Sequence, residues 1–154
     1  MHTRLARASA VLRTGAAEGA PLEMPPAPPL SAAAAAHRLA GQSWLWEETY
    51  DSHDRAVYRP AADASREYFV FRSDGGYVND GDRGCWKAEG AWSVKAEPLR
   101  LRLTVLSRGA RAATPQLLEY EIREISDGRL RLYRPDLDGF IVETYVARST
   151  DRTP

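Results

Sequence analysis

From Gly41 onward, apolar and polar residues alternate with period two, the spacing that sends successive side chains to opposite faces of a sheet. The clearest run sets Leu99, Leu101, Leu103 and Val105 against Arg100, Arg102 and Thr104. One face is apolar and the other solvated, as in a half-buried antiparallel strand. Leu118, Tyr120 and Ile122 alternate with Glu119, Glu121 and Arg123. Ser126-Asp127-Gly128 then turns the chain into Leu130 and Leu132, which alternate with Arg129 and Arg131. An Asp-Gly pair supplies the positive φ that a hairpin corner needs. A second hairpin runs from 68–72 through Ser73-Asp74-Gly75-Gly76 into 77–79. Trp44 and Trp46 share a face of the first strand, 90–95 makes another, and Asp138-Gly139 opens the last, 140–148. In that last strand Glu143 is expected to mark the outer face, which turns Phe140, Val142, Thr144, Val146 and Arg148 inward. About eight short strands joined by tight turns, with no long helical pattern between them, predict an all-β protein. An antiparallel up-and-down meander closed into a barrel is the first choice and a sandwich the second.

Residues 1–40 lack this alternation. Thirteen Ala and five Pro fill 18 of the 40 positions, and all 14 aromatic residues lie at or beyond Trp44. A stretch without aromatic side chains has little to offset the entropy of ordering its backbone, so 1–30 is expected to be a disordered Ala/Pro-rich leader. Arg4, Arg7 and Arg13 are placed like the charged start of an export signal, but Arg13, Thr14, Gly15, Glu18 and Gly19 interrupt the apolar segment that should follow. A disordered leader, a misplaced start codon and an atypical export signal all stay open. Residues 21–29, PLEMPPAPP, are expected to be extended. Ser31 ahead of five alanines predicts an N-cap and a short helix within 31–40. One or two turns are marginal alone, so that helix must dock on something. The expected organisation is leader 1–30, helix 31–40, barrel 41–148 and a disordered tail 149–154.

Charge removes several functions. Twenty-one Lys and Arg balance 21 Asp and Glu, and beyond residue 40 the count is 17 basic against 19 acidic, so the expected barrel stands at −2. Dispersed charge of both signs excludes the concentrated basic face that a nucleic acid requires. No run of about 18 apolar residues occurs, so no transmembrane segment is expected. The single cysteine, Cys85 beside Trp86, cannot pair within the chain or build a cysteine-based zinc site, and reads as a small buried apolar residue. His2, His37 and His53 have no second ligand at metal spacing, and His53 reads as part of a polar loop rather than as a base. Asn79-Asp80-Gly81-Asp82-Arg83-Gly84 lacks the bidentate Glu of a calcium loop and reads as a hairpin connection. With no nucleophile elbow, P-loop or dinucleotide fingerprint, no catalytic residue, metal or cofactor is assigned. The segment 51–65, rich in Asp, Arg, Ala and Pro, is expected to be the longest connection and a lid over one mouth of the barrel.

The order Leu39-Ala40-Gly41-Gln42-Ser43-Trp44, Phe71-Arg72-Ser73-Asp74-Gly75-Gly76-Tyr77, Gly90-Ala91-Trp92-Ser93-Val94, Tyr120-Glu121-Ile122 and Leu130-Arg131-Leu132 resembles the bacterial lipocalin-like proteins of the calycin group. It covers nearly all of 39–148. One departure lies at the start, where two residues separate Gly41 from Trp44 and the most familiar lipocalin motif has one. The resemblance implies an eight-stranded barrel whose mouth takes a small apolar ligand, and an extracytoplasmic location, although no cysteine stands near the N-terminus to be acylated. It also implies that Arg148 lies across Trp44 as a structural closure, a cation over a π face. Strand parity offers Trp46, Phe69, Phe71, Tyr77, Trp92, Tyr120 and Phe140 as inward side chains that line such a site or simply fill it. Two functions follow as expectations: a carrier or sensor of a small hydrophobic molecule, and a solid barrel acting as an interaction domain of the cell envelope.

Overall fold

A computed structural model describes residues 11–16, 30–61, 67–80, 87–109 and 111–148, the first of these stretches by its backbone alone. One helix and ten strands follow in chain order: β1 Val11–Ala16, α1 Ala32–Leu39, β2 Ser43–Asp51, β3 Ala56–Pro60, β4 Tyr68–Phe71, β5 Gly76–Asp80, β6 Ala88–Lys95, β7 Arg100–Arg108, β8 Arg111–Ile125, β9 Arg129–Asp136 and β10 Gly139–Arg148. Every strand pairing is antiparallel, as tight turns between consecutive strands require. The order β2-β10-β9-β8-β7-β6-β5-β4 returns to β2 through Ser43–Val70, Trp44–Phe69 and Leu45–Tyr68, so eight strands close a barrel.

The seam is short because β2 is shared. Its first half pairs with β4, and its last residues, Thr49 to Asp51, pair with β3. Beyond β3 lies β1, paired from Val11–Pro60 to Ala16–Ala56. That strand falls inside the stretch expected to be a disordered leader. β3 offers an unpaired backbone edge, and backbone hydrogen bonds ask for no aromatic side chain. The expected lid at 51–65 is corrected in the same way, since 52–55 is a turn and Ala56–Pro60 is a strand joined to both β1 and β2. Residues 62–66, 81–86, including Cys85 and Trp86, and the expected tail at 149–154 lie outside the described residues.

The helix forms as its capping residue dictates. Ser31 sits in extended backbone, and its hydroxyl accepts the Ala34 N–H at 3.1 Å. Ala35 and Leu39 are fully buried against the barrel, and Arg38 donates to the Ile125 carbonyl at 2.9 Å. Trp44, also fully buried, donates its indole N–H to the Leu39 carbonyl at 3.0 Å, which ties the helix C-terminus to β2. Gly41, at φ 78°, makes the corner between them. The helix thus lies at the end of the barrel shared by the β4–β5, β6–β7 and β8–β9 turns. The other end carries the β2–β3, β7–β8 and β9–β10 turns.

Alternation along β7 holds as expected, with Leu101, Leu103 and Val105 buried and Arg100, Arg102 and Thr104 outside. The parity expected for β10 is reversed. Glu143 is only 3% exposed and pairs with Thr49 and Leu132, so Ile141, Glu143, Tyr145 and Ala147 face inward. Phe140 faces outward, its ring 5.9 Å from Tyr50 and 5.6 Å from Tyr133. Arg148 is exposed opposite Ser43, while Ala147 is the residue opposite Trp44. Both faces of β10 are apolar enough to be buried, so the one charged residue in its middle, Glu143, was the sequence signal for its parity, and it pointed the wrong way.

Candidate functional site

The inward side chains change character along the barrel axis. Near the helix they form a closed floor of Leu39, Trp44, Phe71, Leu101, Ile125 and Leu130, all 4% exposed or less. Above the floor stands an aromatic column. Phe71 meets Trp92 edge-on at 5.3 Å and stacks on Phe69 at 5.5 Å, and Phe69 meets Tyr145 edge-on at 5.3 Å and Tyr77 at 6.4 Å. Edge-on and offset contacts are the geometries in which aromatic quadrupoles attract.

Polar groups begin at the top of that column. Trp46 donates its indole N–H to the Thr49 hydroxyl at 2.8 Å, and the Tyr145 hydroxyl donates to Glu143 at 3.2 Å. Both bonds are buried, which satisfies groups that would be costly to leave unpaired. Across the barrel, Asn79 donates to the Glu67 carboxylate at 3.1 Å and faces Ala88 of β6. Burial pushes the Tyr77 phenol above its ordinary value of 10.0, because the phenolate would lose its water; the Arg108 charge partly offsets this.

Between these two polar walls runs the β7–β8 face. Gln116, Leu118 and Tyr120 pair with the inward residues Val105, Leu103 and Leu101, so the register turns them into the barrel. Yet Leu118 and Tyr120 are only half-buried, and Gln116 is exposed. All three lie in the stretch of β8, 111–120, that pairs with β7 alone, and their water contact grows from Tyr120 and Leu118 to Gln116, toward the end opposite the helix.

Six of the seven side chains expected to face the interior do so. Trp46, Phe69, Phe71 and Tyr77 are 5% exposed or less and pack into the core. Trp92 and Tyr120 are half-buried against it, with the Trp92 indole N–H given to the Arg72 carbonyl at 2.9 Å. Phe140 stands apart on the outer wall. Trp44 and Arg148 are not brought together: one is buried beneath the helix and the other is exposed. Sequence reasoning missed Thr49, Glu67, Glu143 and Tyr145. Of these only Glu143 was given a face, the outer one, and Tyr145 shares its parity; Thr49 and Glu67 belong to no apolar pattern that would single them out.

His53 lies in the exposed 52–55 turn, its backbone N–H bonded to Asp51. Among the described residues, no three His, Cys, Asp or Glu side chains gather as they would around a metal ion. No helix among them is long and apolar enough to cross a membrane. No protein-family model matches this sequence, and no curated protein matches it significantly.

Proposed function

We propose that this chain is a lipocalin-like binding protein rather than an enzyme, and that it takes a small, largely hydrophobic molecule into the barrel through the end opposite α1. The observation that carries this reading is the partial exposure of Leu118 and Tyr120 at inward register positions. Leu101 and Leu103 beside them on β7 are buried, so the exposure is confined to the β8 side of the interior, where residues 111–120 have no β9 neighbour and where we place the ligand. An eight-stranded barrel has room for one small ligand, and a mostly apolar wall with a few fixed polar groups is the usual lining of such a site. The ligand's apolar body would lie along Leu118, Tyr120 and Phe69, within reach of the Glu143–Tyr145 and Glu67–Asn79 pairs.

The test is a titration of the full chain with a fluorescent naphthalene sulfonate. Saturable binding, displaced by a long-chain fatty acid and weakened tenfold or more by Leu118→Trp at unchanged melting temperature, is the expected result. Non-saturable binding would sink the proposal. A second reading, an interaction domain with a filled barrel, draws on the mutual packing of Phe69, Phe71, Tyr77 and Trp92, which closes the half nearer the helix. It predicts no displacement by any apolar competitor.

A further inference from the structure

Charge is distributed unevenly around the inner face of the barrel. Leu106 is an extra residue in β7, because Val105 pairs with Gly90 and Ser107 with Glu89. That bulge reverses the alternation, so Arg108 follows Leu101, Leu103 and Val105 onto the inner face. It shares an inward rung with Asn79, Ala88 and Arg111, and Ala88 packs against the core. Its guanidinium donates to the inward Gln116 oxygen at 2.7 Å, and its charge reaches the buried Tyr77 phenol. Arg134 turns inward as well, continuing the alternation of Leu130 and Leu132 and standing opposite Ile141. It lies beside the fork where β8 and β9 part, beyond Glu121–Tyr133.

Arginines of the outer wall are paired, as in Arg102–Glu119 at 2.6 Å, Arg59–Glu48 at 2.8 Å and Arg131–Glu124 at 3.4 Å. Among the described residues, no carboxylate comes within ion-pair distance of Arg108, Arg111 or Arg134. The carboxylates of the opposite wall are already engaged: Glu67 accepts from Asn79 at 3.1 Å, Glu143 from Tyr145 at 3.2 Å and Asp51 from the His53 N–H at 2.9 Å. Asp136, two residues beyond Arg134, accepts the Leu137 N–H at 2.9 Å. Arg108 and Arg111 are like charges in register, which repel each other across a ladder. An anion between them removes that repulsion and takes the charge-assisted hydrogen bonds that no protein carboxylate supplies. Down β8 the inner positions then run from Arg111 and Gln116 through the half-buried Leu118 and Tyr120 to the fully buried Ile122. The gradient is charged, then polar, then apolar.

We infer that the barrel selects an amphiphilic acid, bound with its carboxylate at Arg108 and Arg111 and its chain directed past Leu118 and Tyr120 toward the floor, while Arg134 adds positive charge at the fork. This rests on the carrier reading above and adds the head group and its orientation. A guanidinium fork matches the two oxygens of a carboxylate, and partial burial of Arg108 strengthens the bond by thinning the water around it. A neutral ligand of equal length gains nothing from these cations.

Displacement of N-phenyl-1-naphthylamine, an uncharged reporter, from the full chain at neutral pH decides it. The competitors are laurate and dodecanol, which share a chain length and differ in charge. Laurate is expected to displace the reporter at about tenfold lower concentration, and added salt should narrow the gap. Arg108→Gln should weaken laurate about tenfold and Arg111→Gln about threefold, with dodecanol unchanged. Arg111 is exposed, so its variant keeps the fold if that of Arg108 does not. Arg148→Gln, exposed and outside the interior, should alter neither competitor. Equal displacement by laurate and dodecanol overturns the inference and leaves the carrier reading standing, whereas displacement by neither overturns both. Laurate preference retained in both arginine variants overturns it too, as does an equal weakening of both competitors, which would mark a damaged barrel rather than a lost charge partner.

Discussion

At Trp44 and Arg148 the chemistry turns on burial rather than on residue type. Trp44 is fully buried and holds the Leu39 carbonyl, so Trp44→Phe leaves that acceptor without its donor. The expected loss is ~1–3 kcal/mol, read as a shift in the urea midpoint. Arg148→Ala, at an exposed position, should change stability by less than about 0.5 kcal/mol. A loss from Arg148→Ala as large as that from Trp44→Phe would restore the cation-over-ring closure that the register denies. Glu143 makes the same point from the polar side. A carboxylate on a half-apolar strand reads as an outer-face marker, and the bond it accepts from Tyr145 is part of what makes the inner position tolerable.

Strands tolerate the barrel's curvature where a residue allows close approach. Gly90 pairs with Tyr77 on one side and Val105 on the other, beside a register shift at Glu89. A Cβ at Gly90 would overlap the Thr104 carbonyl and crowd the Tyr77 ring at 3.0 Å, so neither neighbouring strand could keep its place. Gly90→Ala should therefore cost about 3 kcal/mol or prevent folding, measured by chemical denaturation. Gly75→Ala, with open space around it, offers the contrast of backbone strain alone. Turn chemistry of this kind was readable from the sequence, and β4–β5 and β8–β9 are where Asp-Gly signals placed them. β1 and β3 were not readable, because their partners are backbone edges and edges leave no residue pattern.

For the molecule as a whole, alkaline pH probes how tightly the barrel closes. Burial raises the Tyr77 phenol above its ordinary value, and burial beside Asp80 does the same for Tyr68. The unfolded chain ionises these groups first, so their contribution to stability is full below about pH 10 and falls as pH rises further. Urea midpoints should decline above about pH 10, and the decline should be shallower in Tyr77→Phe. An identical slope in that variant would mean that the phenol is not sheltered in the folded barrel. The sequence by itself determined the strand periods, the tight turns, the helix cap at Ser31 and the apolar set that forms the core, because each depends on neighbours a few residues away. Tertiary structure alone decided which face of β10 turns inward, how β2 divides between β3 and β4, and that Arg108 and Arg111 stand opposed at the end of the β7–β8 ladder. Those outcomes depend on register between distant strands, and a slip of one residue exchanges every inner side chain for an outer one.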